Sequence, residues 1–110
     1  MGSIVTIRRY TTATAFQLVG NAGDELLNWP FFRRSGDRAV ELEVTISAGS
    51  IGFRVDGDTA DRATIATSAS VVTVDISDKP VGERSGKIFA RSAGTVVTLL
   101  EAHLTGLEVR

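Results

Sequence analysis

The sequence of 110 residues contains no cysteine and one histidine, together with a single tryptophan, a single tyrosine and two prolines. Without cysteine the chain can form neither a disulfide framework nor a thiolate metal site. With His103 as the lone histidine, a cluster of histidine ligands is excluded, and the sequence contains no Gly-x-Ser-x-Gly nucleophile elbow. We therefore expect no enzymatic activity, and we expect His103 to be a surface or interface residue.

Excess charge of one sign and long hydrophobic runs are also missing. Twelve basic and thirteen acidic residues interleave along the chain and leave a formal net charge of -1. Such a balance creates no long-range attraction for nucleic acid or for an anionic membrane. No apolar run approaches the ~18 residues of a membrane span, and no cleavable leader is recognisable. The sequence therefore predicts no nucleic-acid partner and no membrane partner.

Three carboxylates lie close together around a glycine, at Asp56, Asp58 and Asp61. Clustered oxygens of this kind can bind Ca²⁺, but the spacing lacks the later glutamate of a helix-loop-helix calcium site. The Asp-Gly-Asp sequence is also typical of a tight turn, and we favour the turn. Glu41 and Glu43 alternate on one face of a strand, where a solvated stripe is expected. We predict no cofactor and no resident metal.

The clearest structural signal is an alternation of apolar and polar residues with a period of two. From Ala39 to Ser47 every second residue is Val, Leu, Val or Ile, which indicates a strand with one dry face and one wet face. The segment from Ser50 to Val55 repeats the alternation after the turn signal Ala48-Gly49. We expect these two strands to pair with each other.

Further strands are predicted along the rest of the chain, separated by turn signals every ten to fifteen residues. They span Ile4–Tyr10, Ala13–Val19, Val71–Ser77, Gly86–Ser92 and Thr95–Val109, and we expect the last two to form a pair. Asp58–Ser70 is expected to be a loop with a short strand, and Asp78–Gly86 an exposed loop that crosses between sheets. The sequence therefore predicts a single all-β domain over residues 1–110, a two-layer sandwich or jelly roll of about eight strands, with a small barrel left open.

Residues 27–34, LNWPFFRR, concentrate aromatic and basic side chains around Pro30. As a strand this segment would be apolar on both faces, and Pro30 would place it at an edge because proline donates no backbone hydrogen bond. The segment could fold under one end of the domain, or Trp29 could stack on a sugar ring. It could also contact another subunit or partner, since interfaces are rich in Trp, Phe and Arg. We carry forward the third interpretation, with the interface residues Trp29, Pro30, Phe31, Phe32, Arg33 and Arg34.

Two passages resemble the small all-β structural proteins of tailed bacteriophages, in particular capsid decoration (cement) proteins and related head or tail modules. The first is Ser47–Ser70, SAGSIGFRVDGDTADRATIATSAS, in which an apolar strand ends in a turn and continues into Ala/Thr/Ser-rich chain. The second is the strand-rich C-terminus after Ala93-Gly94-Thr95. The resemblance implies a non-enzymatic virion component that is assembled in the bacterial host cytoplasm.

The resemblance also implies partners. Cement proteins are commonly homo-oligomers, with a trimer favoured, and they bind the major capsid protein or another virion protein. Two alternatives remain open at this stage: a carbohydrate-binding β-sandwich module, and a structural module of a phage tail or fibre. Exposed aromatic residues on a concave face would favour the carbohydrate-binding module.

Overall fold

The fold consists of eight β-strands in a computed structural model that describes residues 2–66 and 68–109. The strands are β1 Ile4–Gly20, β2 Glu25–Arg33, β3 Asp37–Ala48, β4 Ile51–Val55, β5 Ala63–Ile65, β6 Ala69–Asp75, β7 Gly82–Ala90 and β8 Thr95–Val109. No helix occurs among the described residues, and so this part of the chain has no helix suited to crossing a membrane. The prediction of an all-β domain of about eight strands is confirmed.

The strands form two antiparallel four-stranded sheets. Sheet 1 has the order β1-β8-β3-β6, and sheet 2 has the order β2-β7-β4-β5. The pairs are therefore nested, with β1 beside β8, β2 beside β7, β3 beside β6 and β4 beside β5. A long hairpin of eight strands that wraps around itself into two sheets is a jelly roll, which resolves the choice between the predicted architectures.

Both predicted hairpins between consecutive strands are wrong. The strand around Ala39–Ser47 pairs with β6 and β8, whereas the next strand, β4, pairs with β5 and β7. Likewise β7 and β8 lie in different sheets. Alternation shows which residues of a strand face the core, but it is the same in either sheet and does not identify the neighbouring strand.

The N-terminal segment forms one long strand instead of the two that were predicted around Thr11-Thr12. β1 runs alongside β8 over its whole length, with shifts of register between Arg8 and Tyr10 and between Thr11 and Ala13. Extra residues of this kind are β-bulges, which bend a strand without ending its pairing. The β-branched threonines therefore mark an irregularity in the strand and not a turn.

Of two predicted connections, the first is confirmed and the second is confirmed only in part. The segment after Asp58 is a loop that contains only the three-residue strand β5. The polar segment after Asp78 belongs to the connection between β6 and β7, which crosses from sheet 1 to sheet 2, although β7 begins at Gly82 and takes up its second half. All consecutive strands except β4 and β5 lie in opposite sheets.

The core lies between the two sheets and is filled by the alternating residues that the sequence indicated. Sheet 1 contributes Val40, Leu42, Val44, Ile46, Val74, Val97, Leu100, Ala102 and Leu104, and sheet 2 contributes Trp29, Phe31, Ile51, Phe53, Val55, Ile65 and Ile88. These residues form one continuous cluster. Burial of their apolar surface is the main source of stability for a chain that has no disulfide.

Candidate functional site

Strand β2 divides the predicted interface residues into two sets. Trp29, Phe31 and Arg33 point inward and are only 5–7% exposed. Successive side chains of a strand point to opposite faces, so the residues between them point outward, and Pro30, Phe32 and Arg34 are exposed. β2 is the edge strand of sheet 2, as Pro30 indicated. Half of the predicted interface is therefore part of the core of this single chain, which corrects the prediction.

Trp29 is covered completely by its own chain. Its ring stacks on that of Phe53, with the ring centres 5.9 Å apart and the planes 23° from parallel. The indole Nε1 donates a hydrogen bond of 3.1 Å to Thr12 Oγ1 on β1. The ring packs over Gly86 on β7, where a Cβ atom would lie 2.4 Å from Trp29 Cζ2. A stacking platform for sugars at Trp29 is therefore excluded.

Arg33 is the one inward-facing residue of β2 that carries a charge. Its side chain is buried, and among the described residues its Nε has no hydrogen-bond partner. Buried guanidinium groups are usually held by carboxylates. The burial removes Arg33 from the set of residues that could contact a partner.

Arg34, just after β2, contacts both Phe32 and Tyr10, and Tyr10 is a residue that the sequence did not single out. The guanidinium carbon of Arg34 lies 5.1 Å from the ring centre of Tyr10 and 5.5 Å from that of Phe32. Arg34 also donates a hydrogen bond to the Tyr10 hydroxyl. These three exposed residues are called the Tyr10–Arg34–Phe32 stack from here on. Phe32, with 47% of its surface accessible, is the most exposed of its aromatic rings.

Asp37 holds the stack in place. One of its carboxylate oxygens, Oδ2, accepts hydrogen bonds from the Tyr10 hydroxyl at 2.7 Å and from the Arg34 backbone N–H at 2.8 Å. The Asp37 N–H donates to the Arg34 carbonyl, which closes the turn between β2 and β3. Arg9 lies 3.6 Å from the other carboxylate oxygen. Asp37 is almost fully buried, so the stack has a rigid base.

The same surroundings alter the acidity of the Tyr10 hydroxyl. Partial burial raises the pKa of Tyr10 above its ordinary value of 10.0, and the hydrogen bond to Asp37 raises it further, while Arg34 opposes both effects. The hydroxyl is therefore neutral at physiological pH, and it acts as a donor to Asp37 and an acceptor from Arg34.

No sequence signal could have placed Tyr10 beside Arg34. The two residues are 24 positions apart and lie on strands of different sheets, with Tyr10 in β1 and Arg34 just after β2. Their meeting depends on β1 and β2 both being edge strands on the same side of the sandwich. That arrangement follows from the nested strand order, which alternation does not reveal.

A second group of polar residues lies on the outer face of sheet 1, on the neighbouring strands β3 and β8. Glu43 is directly opposite Glu101, and Glu41 is directly opposite His103. Arg8 on β1 forms ion pairs with both Glu41 and Glu43. Glu43 is half-buried and Glu41 more so, which departs from the predicted solvated stripe.

His103 is buried, with 5% of its surface accessible, and the expectation of a surface or interface residue is wrong. β8 is an inner strand of sheet 1, so side chains from β1 and β3 flank the imidazole on both sides. Nδ1 lies 2.9 Å from Thr11 Oγ1. Nε2 lies 3.2 Å from Glu101 Oε2, at an angle that makes no hydrogen bond.

The three carboxylates around Gly57 are each paired with a basic side chain. Asp58 binds Arg62 and Lys79, and Asp56 lies 3.2 Å from Arg84. Gly57 has a positive φ of 83°, and the Asp58 N–H donates to the Val55 carbonyl. The turn interpretation is confirmed at this position.

Asp61, the third of these carboxylates, turns away from the other two. It accepts hydrogen bonds of 2.8 Å from the Nε atoms of both Arg54 and Arg91. Because cations of the protein already occupy all three carboxylates, the arrangement does not favour a calcium site.

No pocket was found in the part of the chain that the structure describes. The sequence matches no protein-family model, and comparisons with curated proteins and with solved structures returned no match. Function must therefore be argued from the two surface features described above, the Tyr10–Arg34–Phe32 stack and the polar group on sheet 1.

Proposed function

We propose that this protein is a non-enzymatic virion structural protein, a capsid decoration (cement) protein of a tailed bacteriophage that forms a homo-oligomer and binds the capsid shell. The resemblance of Ser47–Ser70 to such proteins supports the proposal. The jelly roll is compatible with it, since viral capsid domains use this architecture. Lectin domains use it as well, so the fold alone does not decide the function.

The single observation that carries the proposal is the exposed Tyr10–Arg34–Phe32 stack. Tyr and Arg are enriched among residues that dominate binding energy, and Phe is enriched in interfaces generally. Here the guanidinium is already held between two rings and the Tyr10 hydroxyl, while Asp37 fixes the base. A partner that covers the stack would therefore immobilise few additional rotamers, which favours tight binding.

The neighbouring strand edges suit the same role. Within the described part of the chain, β1 pairs only with β8 and β2 only with β7, so each has one edge without a strand partner on the side of the sandwich where the stack lies. Free edges can accept a further strand from another chain. The bulges in β1 and the charged residues Arg8 and Arg9 are features that discourage unspecific edge-to-edge pairing.

The carbohydrate-binding alternative required Trp29 to stack on a sugar ring, and Trp29 is buried. The exposed rings of Tyr10 and Phe32 enclose Arg34 and do not form an open flat platform for a sugar. A tail or fibre module would use the same stack against a different virion protein. The two virion proposals therefore differ only in the partner.

Binding to capsid shells tests the proposal. Shells assembled from the phage's major capsid protein should cosediment with the wild-type protein, and Phe32→Ala should weaken this binding by roughly 10-fold or more, as expected for an interface hot spot. Val71→Ala is the control, since Val71 is an exposed apolar residue on β6, the strand at the opposite edge of sheet 1 from β1. Absence of wild-type binding to shells, together with binding to tail tubes or fibres, would replace the capsid proposal by the tail proposal.

A further inference from the structure

The outer face of sheet 1 brings together three groups that can coordinate a metal ion. One carboxylate oxygen each from Glu43 and Glu101 and one ring nitrogen of His103 lie within 4.8 Å of one another. Glu43 is on β3, and the other two residues are on β8, two positions apart and thus on the same face. The sequence could not indicate this group, because it depends on the register between β3 and β8.

The register creates an electrostatic conflict. Glu43 and Glu101 are directly opposite each other, and like charges in that position destabilise a sheet. Arg8 lies 3.3 Å from Glu43, but its closer partner is Glu41. Glu41 and Glu43 share one guanidinium, and Glu41, Glu43, Glu101 and Arg8 together carry a formal charge of two minus when His103 is neutral. A divalent cation would balance that charge.

His103 provides an independent indication of a ligand. The side chain is more than nine-tenths buried, and its Nε2 has no hydrogen-bond partner among the described residues, although Glu101 Oε2 lies only 3.2 Å away. Nδ1 lies 2.9 Å from the Thr11 hydroxyl, and when Nδ1 donates to this hydroxyl the lone pair of the imidazole is on Nε2. In that tautomer Nε2 has no donor, and a carboxylate oxygen, a second acceptor, lies only 3.2 Å from it. Buried polar groups are rarely left in this state.

We propose that Glu43, Glu101 and His103 form a binding site for a divalent transition-metal ion, with Zn²⁺ the best fit. Zn²⁺ accepts one imidazole and two carboxylate ligands and leaves a fourth tetrahedral position for water or for an external donor. The imidazole disfavours Ca²⁺ and Mg²⁺, which prefer oxygen ligands only. Thr11 acts as the outer partner that orients the ring, a role that second-sphere groups commonly have in zinc sites.

The required adjustment is small. Ligands at about 2.1 Å from Zn²⁺ in a tetrahedron are separated by roughly 3.4 Å. The donor atoms lie within 4.8 Å of one another, so no pair has to approach by more than about 1.4 Å. Glu43 and Glu101 keep 42% and 34% of their side-chain surface accessible, which leaves both carboxylates free to rotate. His103 is fixed and defines the position of the ion. The bound ion would join the two central strands of sheet 1.

The site can be tested by titration of the full chain, without a polyhistidine tag, with ZnCl₂ followed by calorimetry. CoCl₂ provides a second probe, because tetrahedral Co²⁺ absorbs visible light. We expect His103→Gln, Glu43→Gln and Glu101→Gln each to weaken Zn²⁺ binding at least 10-fold. Glu83→Gln, which removes an exposed carboxylate of β7, is the matched control and should leave the affinity unchanged.

Two readouts keep the test decisive. The chain has one histidine, so the imidazole ¹⁵N resonances of the folded wild-type protein report Zn²⁺ binding at His103 without ambiguity. Glu101→Gln, at a partly exposed position, gives a ligand variant whose folding can be checked by circular dichroism. Wild-type affinity no higher than that of His103→Gln, unchanged imidazole resonances, or equal binding of CaCl₂ and MgCl₂ would overturn the proposal.

Discussion

At the scale of single residues, Trp29 occupies its place in the core because the residue opposite it is glycine. Gly86 is the direct partner of Trp29 across β2 and β7, and a Cβ atom there would lie less than 3 Å from three atoms of the indole ring. The ring also stacks on Phe53 and donates to Thr12. Any side chain at position 86 therefore forces the ring to move out of a close-packed site.

We predict that Gly86→Ala lowers the free energy of unfolding by about 1–3 kcal/mol, the usual range for overpacking. Denaturant unfolding followed by fluorescence measures this, and the signal is specific because Trp29 is the only tryptophan. The control is Gly36→Ala, where the added Cβ would meet only the flexible end of the Arg9 side chain. Unchanged stability and emission in Gly86→Ala would contradict the packing described here.

Burial of Trp29, Phe31 and Arg33 could not be predicted from the sequence, and the physical reason is specific to this strand. Both faces of residues 27–34 carry apolar residues, so the sequence does not show which face of the strand turns toward the core. The edge position of β2 could be predicted, because Pro30 has no backbone N–H to donate to a neighbouring strand. The prediction of exposure was right for Phe32 and Arg34 and wrong for Trp29, Phe31 and Arg33.

At the scale of elements, the connection after β4 is attached to the sandwich by ion pairs. Asp61 crosses over Gly52, where a side chain would collide with it, and binds Arg54 and Arg91. The hydrogen bonds from Arg91 hold the pKa of Asp61 below its ordinary value of 3.8, and Arg54 adds to this effect while burial opposes it. The pKa of Asp58 is also held well below its ordinary value, chiefly by the hydrogen bonds from Arg62.

These shifts predict a loss of stability in acid. A carboxylate with a lower pKa in the folded state stabilises the fold above its unfolded pKa, and this contribution disappears as the pH falls through the folded value. We expect the free energy of unfolding to decline from about pH 4 downward. Asp61→Asn should lower it by about 2 kcal/mol at neutral pH, because two half-buried guanidinium groups lose their counterion, and should make the acid decline less steep.

Urea unfolding at a series of pH values measures both effects. Glu83→Gln is an appropriate control because this carboxylate is exposed, and its variant should follow the wild-type curve. An Asp61→Asn curve that is parallel to the wild-type curve over the whole acid range would show that the Arg54–Asp61–Arg91 pairs do not control the pH dependence.

The existence of the strands could be predicted from the sequence, but their pairing could not. Alternation over Ala39–Ser47 identified β3 and its core-facing residues correctly. The hairpin predicted between this strand and β4 was wrong because β3 and β4 lie in opposite sheets of the jelly roll. The groups that meet across strands, Tyr10 with Arg34 and Glu43 with Glu101, were therefore beyond the reach of sequence reasoning.

At the scale of the whole molecule, the sandwich has one side that combines free strand edges with a rigid aromatic and basic surface. β1 and β2 end their sheets on that side, and the Tyr10–Arg34–Phe32 stack is exposed between them. The near-neutral net charge imposes little repulsion between copies. Self-association through this side is the central claim of the proposed function.

The molar mass of the protein in solution, measured by light scattering over a range of concentrations, tests this claim most directly. We predict a homo-oligomer, with a trimer as the favoured form, that Phe32→Ala and Arg34→Ala weaken by about 2 kcal/mol per contact. Val71→Ala, at the opposite edge of sheet 1, should leave the mass unchanged. A wild-type protein that remains monomeric at every concentration, or an oligomer that withstands loss of the stack, would contradict the account.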